Sequence, residues 1–313
     1  MDGRSRQNPA YRPTNGEPRT RGALPFVRAV CLAAAGALWL APSSDATAIS
    51  DLALLRRYAP VLRYDTHERY RATAVEALTT RALAGGQPED RVALRQRRGA
   101  PDVAYGRVVR ARSGRTWLEY WFLYAANPQD RGVVRTGRHE GDWEVVALAL
   151  RGGRPELAVF AQHHWAEACA ATRIEHLRKA PVVYVANGSH ASYPHAGEHG
   201  RPWPDPDDEA DGRGATARPR VERVTDVAPG WVRWPGRWGR SEASWVPGEK
   251  SSPRGPAFQA DGPWADPDRY LGRARACDSG APALPPAVLA AAALAAAVVT
   301  AAISSRAARR RLI

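Results

Sequence analysis

The chain has 313 residues, a length that fits one domain or two small ones with a sizeable buried core. Its formal net charge of +13 divides as +3 over residues 1–48, +6 over 49–280 and +4 over 281–313. About half of the excess therefore sits at the ends, and the mildly basic remainder excludes a nucleic-acid footprint. The abundance of Arg, Ala, Gly and Pro, beside very few Lys, reads as the codon bias of a GC-rich genome.

The first element is a targeting segment. Arg4, Arg6, Arg12, Arg19, Arg21 and Arg28 precede an apolar run from Ala29 to Ala41, and "SSDATA" then places Ala46 and Ala48 as in a cleavage site. Residues 1–48 read as a secretory signal peptide. The alternative is an uncleaved anchor, against which the run is short of the roughly 20 residues a span needs. Cys31 opens the apolar run, whereas a lipoprotein cysteine would close it.

The domain proper is expected over residues 49–280. Ile49 to Tyr58 reads as a short helix ended by Pro60, and "VLRYD" as a short strand. Residues 72–98 hold a helix-compatible segment and an Arg-rich loop. "YGRVVRAR" and "RTWLEYWFLYAA" flank Ser113-Gly114, while "DWEVVALAL" and "RPELAVFAQHH" flank Gly152-Gly153. Both patterns predict hairpins. "APVVYVANGSH" adds a further β-branched strand, and residues 200–265 read as long loops with a few edge strands. Short aromatic and β-branched strands with frequent turns predict a mainly β fold, a β-sandwich with long loops. The aspartates of "PWPDPDDEADG" lack the bidentate Glu of an EF-hand loop and read as an exposed acidic loop.

The stretch "GRHEGDWEVVALAL" carries the candidate chemistry. Strand alternation puts Asp142, Glu144, Val146 and Leu148 on one face, with Trp143 and Val145 on the other. Two carboxylates on one face repel unless a cation or basic partner lies between them. His139 joins them only if Gly141 bends the chain. The set suits a hard divalent cation, Mg²⁺ or Ca²⁺ in preference to Zn²⁺. The competing reading has Arg138 and other arginines neutralise the pair. His163, His164 and His190 end neighbouring strands and converge on the His139 loop if those strands pair. Phosphate loops, dinucleotide fingerprints and a G-x-S-x-G elbow are absent.

At the far end, residues 284–303 form an apolar run about one bilayer thick, followed by Arg306, Arg309, Arg310 and Arg311. This predicts one transmembrane helix with a basic cytoplasmic tail at 304–313, and hence a single-pass plasma-membrane protein with its domain outside. A sortase signal has a similar layout, but "ALPPA" lacks its Thr-Gly. With the signal removed, Cys169 and Cys277 remain, either as one disulfide or as two free thiols.

Four segments resemble the vacuolar-protein-sorting-62-related family, in that family's order: "YAPVLRYDTHERY", "RHEGDWEVV", "YVANGSHASYP" and "WGRSEASWVPGEKSSPRGPAF". A more distant resemblance is to the necrosis-inducing-protein family of secreted β-sandwich toxins. That family's G-H-R-H-D-W-E heptapeptide follows a Tyr/Trp-rich strand and an Asp. "EYWFLYAANPQD" and "GRHEGDWE" match it, with Gly141 in place of the second His and Glu140 as an extra residue. The resemblance implies a divalent-cation site at Asp130, His139, Asp142 and Glu144 that contacts a membrane glycolipid head. The leading expectation is a cation-assisted binding module for surface glycans or lipid heads, with stacking faces from "WVRWPGRWG" if its tryptophans are not core. The second is a metal-dependent hydrolase with Glu140 as base and His190 as a further ligand or acid. The third is a structural surface protein without a metal.

Overall fold

The computed structural model describes residues 44–277 apart from 80, 82, 84, 98, 130–136, 203–204 and 241–251. The signal segment before residue 44, the expected membrane helix 284–303, the tail 304–313 and Asp130 lie outside the described residues. Among the described residues no helix is long and apolar enough to cross a membrane.

The fold is mainly β. Helix α1 (Ser44–Arg57), longer than expected at its start, leads into β1 (Val61–Tyr64), then α2 (Val75–Leu78) and β2 (Arg91–Val92). The expected hairpins follow as β3 (Val103–Arg110) with β4 (Thr116–Asn127), and β5 (His139–Arg151) with β6 (Arg154–Gln162). Next come β7 (Trp165–Ala170), β8 (His176–Leu177), β9 (Ala180–Val185), β10 (Ser192–Tyr193), β11 (Gly197–His199) and β12 (Asp208–Ala210). The last elements are β13 (Thr216–Ala217), β14 (Arg220–Arg223), β15 (Arg237–Trp238), α3 (Pro267–Leu271) and β16 (Arg275–Ala276).

The large sheet has the order β14-β3-β4-β5-β6-β7-β16, antiparallel through its middle and closed at each edge by a parallel strand. A smaller sheet runs β10-β9-β1-β13, with β1 parallel to β9 and β8 paired to β9. One core cluster holds Leu118, Tyr120, Phe122, Val146, Leu148 and Phe160 of the large sheet with Leu62, Tyr64, Val183 and Val185 of the small one, so the two sheets pack face to face. Burial of such apolar area is the main drive for joining them.

The other face of the large sheet is also covered. Trp121, Trp143 and Val145 meet Trp231, Trp234, Trp238 and Trp264 from the long C-terminal loops. Burial on both faces explains why "TWLEYWFLYAA" runs apolar instead of alternating. It also assigns the tryptophans of "WVRWPGRWG" to the core: Trp231, Trp234 and Trp238 are buried, and each contacts another tryptophan ring at 5.4–5.7 Å. They offer no stacking face to a ligand. The charged residue in this run, Glu119, is fully buried against Arg107 (3.2 Å) and the indole N–H of Trp121 (3.1 Å).

Cys169 in β7 and Cys277 after β16 form a disulfide with their Cα atoms 4.8 Å apart. It fastens the end of the described chain to the edge of the large sheet, beside the Arg275↔Glu167 pairing.

Candidate functional site

The site grows from the first turn of β5. Register pairs Asp142 with Tyr124 and Glu144 with Phe122, which keeps both carboxyls on the face toward the small sheet. Just before them Gly141 takes a φ of +74°, and a Cβ there would lie 1.7 Å from the Trp238 carbonyl oxygen. Only glycine fits. The bend at Gly141, which the sequence made the condition for His139 to join the carboxylates, is present, and it separates two neighbours. Glu140 turns toward the tryptophan-rich side, where it accepts from the backbone N–H of Leu94 (3.1 Å) and from the Arg240 backbone N–H and Nε (3.2 Å). His139 folds back so that Nδ1 lies 2.6 Å from the Gly141 carbonyl oxygen.

Asp142 meets a histidine. Its Oδ2 accepts from His190 Nδ1 (2.9 Å) and Asn127 Nδ2 (3.3 Å). The other ring nitrogen of His190 lies 3.4 Å from Glu68 Oε1, and Glu68 in turn accepts from the backbone N–H groups of Tyr70 (2.6 Å) and Gly188. His190 is fully buried, stacked on Tyr124 (centroids 3.9 Å, 6°) and edge-on to Tyr70. Burial alone would lower its pKa, but Glu68 and Asp142 outweigh it and raise it to about 9. For Glu68 burial pushes upward, while His190 and the two backbone N–H groups pull it below the ordinary carboxylate range. The unit is an imidazolium clamped between two carboxylates at neutral pH.

A second hub lies beside it. Asp208 is fully buried and accepts from Ser189 Oγ (2.7 Å), Tyr193 OH (2.7 Å), Gln129 Nε2 (2.9 Å) and His163 Nε2 (2.6 Å), with Arg201 Nη1 at 3.6 Å. Burial opposes its ionisation, yet His163, Arg201 and Tyr193 hold its carboxyl well below the usual range. The expected exposed acidic loop is corrected here: its central aspartate is buried because five donors from distant segments converge on it. Asp205 and Asp211 are likewise engaged, by Arg201 and Thr66.

Glu144 sits between the two hubs. Burial first, then the charges of Asp142 and Asp208, raise its pKa well above the ordinary value against the pull of Arg201. It lines a cavity of about 590 Å³ together with His163, His164, Trp165, Gln259 and Asp261. Among the described non-glycine residues, only His163 (51°), His190 (56°) and Arg178 (65°) have a positive φ. Two of these strained positions are histidines of this site, where strain is commonly retained for function.

Several sequence expectations are thereby re-sorted. His190 does reach the Asp142 end of β5, where both ring nitrogens face carboxylates, Asp142 at 2.9 Å and Glu68 at 3.4 Å. Glu140, with both oxygens bound, is not placed to act as a base. The partner that neutralises Asp142 is His190, not an arginine. His163 binds Asp208 instead of the His139 loop. Among the described residues no group of three His, Cys, Asp or Glu side chains is gathered closely enough to hold a metal ion. Asp130, the fourth expected ligand, lies outside the described residues. Glu68 and Asp208 were missed. Glu68 had one available signal, its place in "YDTHERY", a segment that carried the family resemblance.

The family model for vacuolar protein sorting-associated protein 62 matches residues 128–200, a span that holds Asp142, Glu144, His163 and His190. No curated protein matches the chain. Similar solved structures include Necrosis and Ethylene inducing Protein 2 from the causal agent of cocoa's Witches Broom disease, at 13% identity over 54% of this chain and 72% of that one, TM-score 0.34. The non-toxic HaNLP3 protein is similar at 15% identity over 58% and 77%, TM-score 0.35. NLPPya in complex with mannosamine is similar at 12% identity over 56% and 73%, TM-score 0.36. The resemblance to the vacuolar-protein-sorting-62-related family read from the sequence is met again in the family model over residues 128–200.

Proposed function

We propose that this domain is a binding module for a surface glycan or the sugar of a lipid head group, seated in the cavity at Glu144. The observation that carries the reading is the lining of that cavity. Among the described residues, His163, His164, Gln259 and Asp261 present polar groups there beside Trp165, with Glu144 in the wall. A few fixed polar groups next to an aromatic wall are the chemistry that takes polyhydroxylated ligands. The hubs behind Glu144 hold this wall rigid. An assay of the purified full chain on a glycan array tests the reading. Saturable binding to a defined set of sugars, lost in Glu144→Ala, is expected; an empty array counts against the module.

A second reading adds a divalent cation, Mg²⁺ or Ca²⁺, at Asp142 and Glu144 with His139 and Asp130. One observation favours it. Nδ1 of His139 lies 2.6 Å from the Gly141 carbonyl oxygen, the kind of backbone hydrogen bond that commonly orients a ligating histidine. The bound ion would supply Lewis-acid attraction for sugar oxygens. The hydrolase alternative loses both of its candidate groups, since Glu140 and His190 are engaged elsewhere. We further infer an extracytoplasmic location behind a cleaved signal and the 284–303 anchor, a reading supported by the Cys169–Cys277 bond, which persists in oxidising compartments.

A further inference from the structure

The small sheet has two poles. Strands β1 and β9 run parallel, so the segments that follow them, Asp65–Glu68 and Asn187–His190, lie together at the carboxylate end. The segments that precede them lie together at the opposite end. There a cleft of about 420 Å³ is lined by Arg56 and Arg57 of α1, Arg178 and Lys179 of the β8–β9 turn, Arg218 between β13 and β14, and Arg220 at the start of β14. No carboxylate lines it. Half of its twelve lining residues are cations, against 45 Lys and Arg among the 313 residues of the chain, so general arginine richness does not account for the cluster.

Three features mark this cluster as more than a solvated surface. First, its charge is left uncompensated. Arg220 pairs with Glu222 and Arg57 lies over the Tyr58 ring, but among the described residues Arg56, Arg178, Lys179 and Arg218 have no ion-pair partner. Like charges gathered in one cleft repel, and an incoming anion relieves that repulsion.

Second, the turn that presents two of these cations is strained. Leu177↔Ala180 closes a two-residue hairpin loop made of Arg178 and Lys179, and Arg178 holds a φ of 65°. Such loops favour Asn-Gly or Gly. A long cation there, followed by one of the chain's two lysines, forgoes local stability to place charge at the tip. Third, Leu177 beside them is one of two exposed large hydrophobic residues among the described ones. An apolar side chain next to unpaired cations is the pattern of a protein surface that rests on anionic lipid.

We propose that this cleft docks on the phosphate head groups of an acidic phospholipid surface, at the pole opposite the Glu144 cavity. The contact is electrostatic, with Leu177 touching the acyl boundary, and it weakens as salt screens the cations.

The test is co-sedimentation of the full chain with vesicles of phosphatidylcholine alone and of phosphatidylcholine mixed with phosphatidylglycerol. Both vesicle types present the same surface to the apolar segments of the chain, so the difference between them reports the cleft. The parent protein is expected to bind the acidic vesicles more tightly, with a salt-dependent affinity. The variant Arg178→Gly/Lys179→Ser/Arg218→Ser is expected to lose about a hundredfold of that affinity while keeping its binding to neutral vesicles. The single variant Arg178→Gly guards against a folding artefact: it relieves the positive φ, so it should unfold at a higher temperature than the parent while binding acidic vesicles about fivefold more weakly. Equal binding to both vesicle types, or unchanged affinity in the triple variant, overturns the proposal. Saturable binding of free pyrophosphate without any preference for acidic vesicles overturns the lipid as its source.

Discussion

Replacing Glu68 with Gln should change how stability depends on pH, because it removes one jaw of the clamp on His190. The Glu68 carboxylate and Asp142 raise the His190 pKa from 6.5 to about 9 against the opposing effect of burial. At about 1.4 kcal/mol per pKa unit, that rise corresponds to about 3 kcal/mol of folding stability. The sign follows from the direction. A group whose pKa is raised on folding contributes fully below its unfolded value of 6.5, and the contribution is lost as pH climbs through about 9. Urea unfolding at a series of pH values between these limits should show the parent protein losing stability steadily. Glu68→Gln should be less stable at the acid end by about 2 kcal/mol or more, and flatter, so that the curves converge near the alkaline end. An NMR titration of the His190 ring should locate its midpoint well above 6.5. A His190 midpoint at or below the free-histidine value, or a parent curve flat across the window, would refute the clamp.

Three other outcomes follow from the geometry. Reducing the Cys169–Cys277 bond, which closes a separation of 108 residues, should cost about 4–5 kcal/mol in denaturant unfolding compared with and without reductant. Gly141→Ala should cost more than about 3 kcal/mol, since the new methyl meets the Trp238 carbonyl and the φ is left-handed; a mild change in melting temperature would count against the bend. Asp208→Asn should cost about 3 kcal/mol or more by removing the buried carboxylate on which Ser189, Tyr193, Gln129 and His163 converge, measured by the same unfolding experiment at neutral pH.

Local chemistry made much of this fold legible. The hairpins at Ser113-Gly114 and Gly152-Gly153 follow from turn residues between strand-like runs, and "APVVYV" announces itself by its β-branching. Strand parity correctly set Asp142 and Glu144 on one face and Trp143 on the other, because β5 is regular from Asp142 onward. Parity failed one step earlier. Glu140 shares it with Asp142, yet the left-handed Gly141 rotates Glu140 to the opposite side.

What stayed hidden depends on distant partners. Asp208 looks like one more charge in a solvated run until Gln129, His163, Ser189, Tyr193 and Arg201 close around it. Glu68 becomes part of a site only because parallel pairing of β1 with β9 carries its loop to the turn that holds His190. The tryptophans of residues 231–238 read equally as binding faces or core in one dimension. Coverage of the second face of the large sheet decides for core.

The central claim is that a sugar ligand is seated in the cavity whose wall includes Glu144. Calorimetric titration of an array-selected glycan into the parent chain and into Glu144→Ala, each in Ca²⁺ or Mg²⁺ and again in chelator, tests it most directly. The account predicts saturable binding by the parent that Glu144→Ala weakens at least about tenfold, since a polar group of the cavity wall is lost. Chelator should abolish the binding only if the cation reading also holds. Equal affinity in the two proteins, with and without the metal, would contradict a ligand seated at Glu144.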